Sequence, residues 1–302
     1  MSILITGASG FIGKYLVDHF CDKTDKLIAI GSKHEFGSEK NITAVNIRLP
    51  STAVVELIKT YKPSLLIHAA GCSSVPQSVK EPSGDYVAGP PVVFQLLDAI
   101  RLYSPHSRFL FLSSAAVYGN PERLPIQEHS ETMPISPYGF HKRQSELIVQ
   151  EFSQIYGIST VSARIFSTYG NGLRKQLLWD LCQKAANGKT IPVLGDGSES
   201  RDFLHVHDVC RAIELIASQP SLCGQPINLC SGIQTPIREV AILLASQFPH
   251  QPPIEFTGGQ LPGSPMHWQG DCSWLESKGF TWSVSLETGI KDYVSWFLQY
   301  NV

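Results

Sequence analysis

No apolar run in these 302 residues approaches the roughly 20 that a helix needs to cross a bilayer. Nor does a charged n-region with an apolar stretch precede the first strand-like segment, so a cytoplasmic protein is expected, with no membrane partner. Charge of either sign is not in excess. The 24 basic and 26 acidic side chains leave a formal charge of −2, which gives nucleic acid no general basic surface and requires any phosphate to be bound locally. Seven cysteines are present, but there is no Cys-x-x-Cys and no short His/Cys cluster. An odd number without such spacing fits reduced, buried thiols and argues against a disulfide framework. His205-Val206-His207 has no third ligand near it in sequence, so no metal is expected. Internal repeats, charge blocks and low-complexity segments are missing too.

What is there begins at the N-terminus. Ser2-Ile3-Leu4-Ile5-Thr6 reads as a short buried strand, Gly7-Ala8-Ser9-Gly10-Phe11-Ile12-Gly13 follows at once, and an apolar-periodic segment runs from Phe11 to Phe20. Strand, glycine turn and helix in that order suit a dinucleotide. Gly7 would make the tight turn, Gly10 would let the backbone approach a pyrophosphate, Gly13 would let helix and strand touch, and the helix N-terminus would face the anion. The spacing is Gly-x-x-Gly-x-x-Gly, not the Gly-x-Gly-x-x-Gly of most dinucleotide folds.

A second signal lies in Ser136-Pro137-Tyr138-Gly139-Phe140-His141-Lys142. Ser136 suits an N-cap and Pro137 a first helical position. On such a helix Tyr138 and Lys142, at i and i+4, share a face. The lysine is expected to pull the phenol down from its usual value of about 10 towards the range of a general acid and base. The same spacing also occurs on merely solvated helix faces, and the glycine turn is what favours the catalytic reading.

Strand-like runs alternate with helical patterns at Leu27 to Ile30, Ala44 to Ile47, Ser64 to His68, Arg108 to Ser113 and Ser159 to Phe166. This alternation predicts an α/β, Rossmann-type, doubly wound parallel sheet with ligands at the carboxyl ends of the strands. After Phe166 the chain is less regular and richer in Pro and Gly. Residues 1–165 plus 203–230 are read as a nucleotide-binding domain, and residues 166–202 plus 231–302 as a smaller substrate-binding domain.

The glycine run, the Tyr-x-x-x-Lys pair and a serine upstream of it together resemble the extended short-chain dehydrogenase/reductase family, in particular its nucleotide-sugar epimerases. In Phe109 to Gly119 a buried strand ends in a serine pair, and the family's catalytic Ser/Thr falls on Ser114, with Ser113 as the structural member. Further matches are His68-Ala69-Ala70-Gly71, Asn120-Pro121-Glu122, Gly195-Asp196-Gly197-Ser198, Arg201-Asp202-Phe203, His205-Val206 with Asp208, Asn228-Leu229, Ser231-Gly232 and Asp271. The resemblance implies a catalytic Ser114, Tyr138 and Lys142, with Tyr138 exchanging a proton at a sugar oxygen that Ser114 hydrogen-bonds. It implies NAD or NADP held by Gly7, Ser9, Gly10, Phe11, Ile12, Gly13, Ser32, Lys33, Asn46, Ile47, Ala69, Ala70 and Gly71, together with Tyr138 and Lys142. A nucleoside-diphosphate sugar would be held by Ser114, Ser167, Arg174, Lys175 and Arg201, in a homodimer.

Neighbouring residues narrow the reaction. The family's 4,6-dehydratases carry Asp and Glu after the catalytic residue, where this chain has Ala115 and Ala116, so redox at one carbon is favoured over loss of water. A C4 epimerase is the leading expectation, an NADPH-dependent 4-keto-sugar reductase the second, and a non-catalytic dinucleotide-binding regulator the third. The chain also departs from the family. Gly31-Ser32-Lys33 replaces the Asp that NAD-preferring relatives place after the second strand, which would admit NADP. Gly89-Pro90-Pro91 replaces an expected Asn-Val-x. Leu261 stands where a second diphosphate arginine is expected. Arg201 has a competing reading as a surface ion pair with Asp202 or Asp208.

Overall fold

The computed structural model describes residues 1–32, 40–259 and 265–301. Lys33 and Leu261 lie outside them. The chain runs β1 (Ser2–Thr6), α1 (Phe11–Phe20), β2 (Lys26–Gly31), β3 (Ile42–Asn46), α2 (Ala53–Tyr61), β4 (Leu65–His68), α3 (Val75–Lys80), α4 (Pro82–Val87), α5 (Pro90–Tyr103), β5 (Arg108–Ser114), α6 (Pro137–Tyr156) and β6 (Thr160–Ile165). It continues through β7 (Ser167–Tyr169), α7 (Gln176–Asn187), β8 (Ile191–Val193), β9 (Ser200–Arg201), β10 (Phe203–His205), α8 (Val206–Ser218), β11 (Cys223–Leu229), β12 (Thr235–Pro236), α9 (Ile237–Ala245), β13 (Ile254–Phe256), α10 (Ser273–Ser277) and α11 (Leu286–Asn301).

Strands β1, β2, β4, β5 and β6 are almost wholly buried. Near-continuous apolar runs of this kind belong to parallel sheets covered on both faces. Seven strands form one sheet in the order β11-β6-β5-β4-β1-β2-β3. The direction of winding reverses between β1 and β4, which pair in register from Ile3 with Leu65 to Thr6 with His68. Ligands of doubly wound sheets bind at the carboxyl ends beside such a reversal. Gly7 leaves β1 there, and Ala69 leaves β4. Packed on the sheet, a core of Leu4, Ile28, Leu66, Val92, Leu96, Phe109 and Phe152 joins α2, α5 and α6 to it.

The chain divides into two compact units, residues 1–119, 131–165 and 210–227 in one and residues 120–130, 166–209 and 228–302 in the other. Segments 120–130, 203–209 and 228–230 therefore fall outside the nucleotide-binding unit in which the sequence reading put them. Long-range pairing explains the first two. Ile126 donates to the Gln269 carbonyl and accepts from the Asp271 amide, and β10 pairs with β7. All seven cysteines are free thiols, and no helix among the described residues is long and apolar enough to cross a membrane.

One buried network fixes α6 against the sheet. Arg164 on β6 grips the Glu146 carboxylate of α6 with Nε at 3.0 Å and Nη2 at 2.7 Å, and its Nη1 donates to the Tyr118 hydroxyl at 2.9 Å. Ser113 at the end of β5 donates to the same carboxylate at 2.5 Å. Arg164→Met is expected to lower the free energy of unfolding by about 3–5 kcal/mol, because Glu146 stays buried without its counter-charge, whereas the double variant with Glu146→Leu recovers much of the loss. Urea melts with equal slopes and separated midpoints would show it; coincident midpoints would not.

Candidate active site

The glycine turn is built as its spacing predicts. Gly7 has φ +71°, in the left-handed region open to glycine. A Cβ on Gly13 would sit 2.0 Å from the Gly7 carbonyl, so the first turn of α1 can lie on the end of β1 only with glycine there. Gly10 caps α1 without any side-chain oxygen, and a Cβ added to it would meet only the Gly7 carbonyl, at 3.1 Å. The first-turn N–H groups of Phe11, Ile12 and Gly13 thus meet an open approach that suits a pyrophosphate. The residues present fit a dinucleotide.

Thr6 is the hub between β1 and β4. Its carbonyl accepts from Ala69 at 3.1 Å, and its hydroxyl lies 2.6 Å from His68 Nδ1. Burial and the nearby Lys142 ammonium hold His68 down to about 3, so it stays neutral. Gly71 follows with φ +128°.

Tyr138, Lys142 and Ser114 come together in this same unit. Ser136 accepts from the Gly139 amide at 3.2 Å, with Pro137 in the first turn, which is the expected cap. The Tyr138 amide donates to Ser78 at 3.1 Å. A Cβ at Gly139 would lie 2.5 Å from the Ala116 carbonyl. This close approach sets α6 against the turn after β5 and allows the hydrogen bond between Tyr138 and Ser114. Ser113 is turned inward to Glu146, while half-buried Ser114 faces Tyr138 and accepts from Ala116 at 3.2 Å.

The expected electrostatics of the pair is reversed. Burial pushes the Tyr138 phenol up to about 12, against which the Ser114 hydrogen bond works. Burial lowers the Lys142 ammonium to about 8. Desolvation of both groups outweighs their mutual effect. Lys142 donates to the Leu112 carbonyl at 2.7 Å and lies 4.7 Å from the centre of the Phe111 ring.

At the end of β2, the Ser9 hydroxyl accepts from Ser32 at 3.2 Å, and a Cβ on Gly31 would meet it at 2.8 Å. Ser9 thus fills the place from which an acidic side chain at position 31 would start. Asn46 is exposed and pairs with Gly31 across β2 and β3, and Ile47 donates to the Gly31 carbonyl at 3.0 Å.

The other candidates belong to the second unit. Arg201 on β9 donates to the carbonyls of Ser200, at 2.8 Å, and Met266, and lies 5.7 Å from the Trp268 ring centre. Burial brings its guanidinium down to about 10. The competing ion-pair reading fails. Asp202 accepts from the Ser231 amide and hydroxyl, Gly232 and Gly270, and Asp208 accepts from Ser283 and Val284. Ser167 is held on β7 by its amide bond to the Asp202 carbonyl at 2.9 Å. Arg174 stacks over Trp296, and Lys175 caps α7; both are exposed, away from any hydrogen bond to Arg201. His205 and His207 touch ring to ring, and no cluster of metal-ligating side chains occurs among the described residues. Sequence reasoning missed the Glu146–Arg164 network and the pairing of Asp85 with His141. Neither has a local pattern to announce it.

Residues 3–230 match the NAD dependent epimerase/dehydratase family. The chain belongs to this family, and it is an enzyme. It is 26% identical over 311 residues to UDP-glucose 4-epimerase of Mycolicibacterium smegmatis, covering 98% of each chain. To dTDP-glucose 4,6-dehydratase 1 of Escherichia coli it is 25% identical over 336 residues, covering 99% of this chain and 93% of the other. A solved UDP-N-acetylglucosamine 4-epimerase from Methanobrevibacter ruminantium M1, in complex with UDP-N-acetylmuramic acid, superposes with a TM-score of 0.90 at 25% identity over 99% of this chain and 98% of that one. The expectation is NAD or NADP, and the family is NAD dependent.

With Gly31 and Ser32, and no carboxylate, at the described end of β2, the chain is expected to bind NADP at least as well as NAD. Ser9→Gly/Gly31→Asp is expected to swing the ratio towards NAD by about tenfold or more, since a carboxylate bonded to the ribose hydroxyls contributes about 1.5–3 kcal/mol. Fluorescence titration with both cofactors measures it, and a strong wild-type preference for NAD refutes the reading.

Proposed function

We propose that the chain is an NAD(P)-dependent nucleotide-sugar C4 epimerase, similar to UDP-glucose 4-epimerase, working by transient oxidation to a 4-keto sugar. The observation that carries this is the hydrogen-bonded Ser114 and Tyr138 beside Lys142, followed by two buried alanines at 115 and 116. Tyr138 takes the proton of the C4 hydroxyl and returns it to the same oxygen once the keto sugar has turned to present its other face for reduction. Ser114 donates a hydrogen bond to the same oxygen. An oxidised nicotinamide cofactor held by the glycine turn would supply a hydride acceptor for C4, a hydride donor to its other face, and a positive charge that favours the phenolate. Lys142 adds a second cation. Loss of water across two carbons needs another acid and another base, and Ala115 and Ala116 are neither.

Arg201 supports a diphosphate. A half-buried guanidinium whose hydrogen bonds among the described residues go to neutral carbonyls gains from an anion, and its planar fork matches two phosphate oxygens. Exposed side chains on two helices support the homodimer. Phe94 and Leu102 on α5 and Phe140, Leu147 and Ile155 on α6 are exposed, and a second copy would cover this apolar face.

Incubation with UDP-, GDP-, CDP- and dTDP-hexoses is expected to yield the C4 epimer of one of them by NMR, with no net consumption of reduced cofactor. A 4-keto-6-deoxy product would indicate a dehydratase, and stoichiometric use of NADPH a reductase. Tyr138→Phe is expected to lower turnover by roughly 10²- to 10⁴-fold with nearly unchanged cofactor binding; near-normal turnover would remove Tyr138 from the chemistry. Arg201→Ala should weaken nucleoside-diphosphate binding by about 2–4 kcal/mol in isothermal titration, and equal affinities would place Arg201 outside the site.

A further inference from the structure

Asp85 on α4 is a carboxylate with 5% of its surface exposed, and it is hydrogen-bonded to His141 Nδ1. His141 immediately precedes Lys142 on α6. Gly89 lies beside the pair: a Cβ there would come within 3.3 Å of the Asp85 carbonyl and would meet His141 Cβ at an ordinary contact distance of 3.8 Å. Tyr86 closes the other side, its ring centre 5.3 Å from that of His141. Asp85, His141, Lys142 and Tyr138 line one cavity of about 20 Å³ with His68, Cys72, Phe111 and Ser145. This is space for one water molecule.

We propose that Asp85 and His141 are positioning residues for the reaction, the buried carboxylate supplying the negative charge that keeps Lys142 an ammonium and His141 holding that carboxylate in place. The inference rests on the acid–base reading of Tyr138 and Lys142. A desolvated lysine without a counter-charge loses its proton, and a neutral amine cannot favour a phenolate. Lys142 has no carboxylate within ion-pair distance among the described residues, and its own hydrogen bond goes to the neutral Leu112 carbonyl.

The ionisable groups around it come from every adjoining element: His68 at the end of β4, Cys72 in the loop beyond it, Asp85 on α4, and Tyr138, His141 and Glu146 on α6. From β5 it meets the Phe111 ring and the Leu112 carbonyl. Of these, Asp85 is the strongest support for the charged lysine, ahead of Glu146 and Cys72. The same carboxylate acts against ionisation of Tyr138. It therefore raises both groups together, keeping the lysine charged at the cost of a weaker acid at the tyrosine.

The test is direct titration of Lys142 by NMR on protein carrying ¹⁵N-lysine, assigned with Lys142→Arg. In Asp85→Asn the midpoint of Lys142 is expected to fall by about one pH unit or more, as for loss of an opposite charge within a few ångströms. In His141→Gln, which keeps the carboxylate and offers it a donor, the midpoint is expected to stay within a few tenths of wild type. If Asp85→Asn does not fold, Asp85→Asn/His141→Gln, whose amides can bond each other, carries the same test. An unmoved midpoint in a folded charge-free variant overturns the proposal. Failure of the acid–base reading is separate, since it appears as undiminished turnover in Tyr138→Phe.

Discussion

The bond between Arg164 and Glu146 is the constraint on which the candidate site depends. Three elements meet in it: β6 supplies the guanidinium, α6 the carboxylate, and β5 a serine hydroxyl directed at the same carboxylate. Tyr138 and Lys142 ride on α6, and Ser114 ends β5. Rotation of the helix about its axis would move the phenol away from Ser114, and the planar fork resists it because both of its edges are occupied. A hydrophobic filling could give comparable stability. It could not fix the helix azimuth with the same directional bonds.

Against that rigid frame, burial governs the chemistry of the pair. The phenol and the ammonium are both pushed towards their neutral forms, so the site favours an uncharged Tyr138 until charge arrives from a bound cofactor. An acid held neutral suits the return of a proton to a keto oxygen, and the incoming cation suits its removal. The two halves of an epimerisation need these opposite tendencies in turn. A lysine alone, four residues along the helix, does not provide both.

Local signals made part of this legible. The strand–glycine–helix start and the capped helix from Ser136 are each specified within about a dozen residues by dihedral and hydrogen-bonding rules that act at short range. The doubly wound sheet was legible for the same reason, its strands being continuous apolar runs. What escaped was set by burial and by distant partners. The sequence does not show that Tyr138 and Lys142 lose enough water to reverse their expected interaction. Nor does it show that Asp202 is consumed by four donors from Ser231, Gly232 and Gly270, which leaves Arg201 without that partner. Residues 120–130 looked like a loop of the first unit because their pairing, through Ile126 to Gln269 and Asp271, lies far along the chain.

The departures from the family pattern also occur in coupled pairs. Gly31 lacks the acidic side chain, and Ser9 fills the space it would need. Gly89 lacks a side chain, and His141 with Asp85 occupies the adjoining space. At position 31 the serine would clash with an ordinary Cβ, whereas at position 89 a Cβ would meet His141 only at ordinary contact distance. Filling of this kind keeps the cleft at native density and changes which charges border it. Gly31 and Ser32 bring no carboxylate to the end of β2, and Asp85 borders the cavity beside Lys142. The charges that border a serine, tyrosine and lysine can thus be set by neighbours in the fold, with the three residues themselves unchanged.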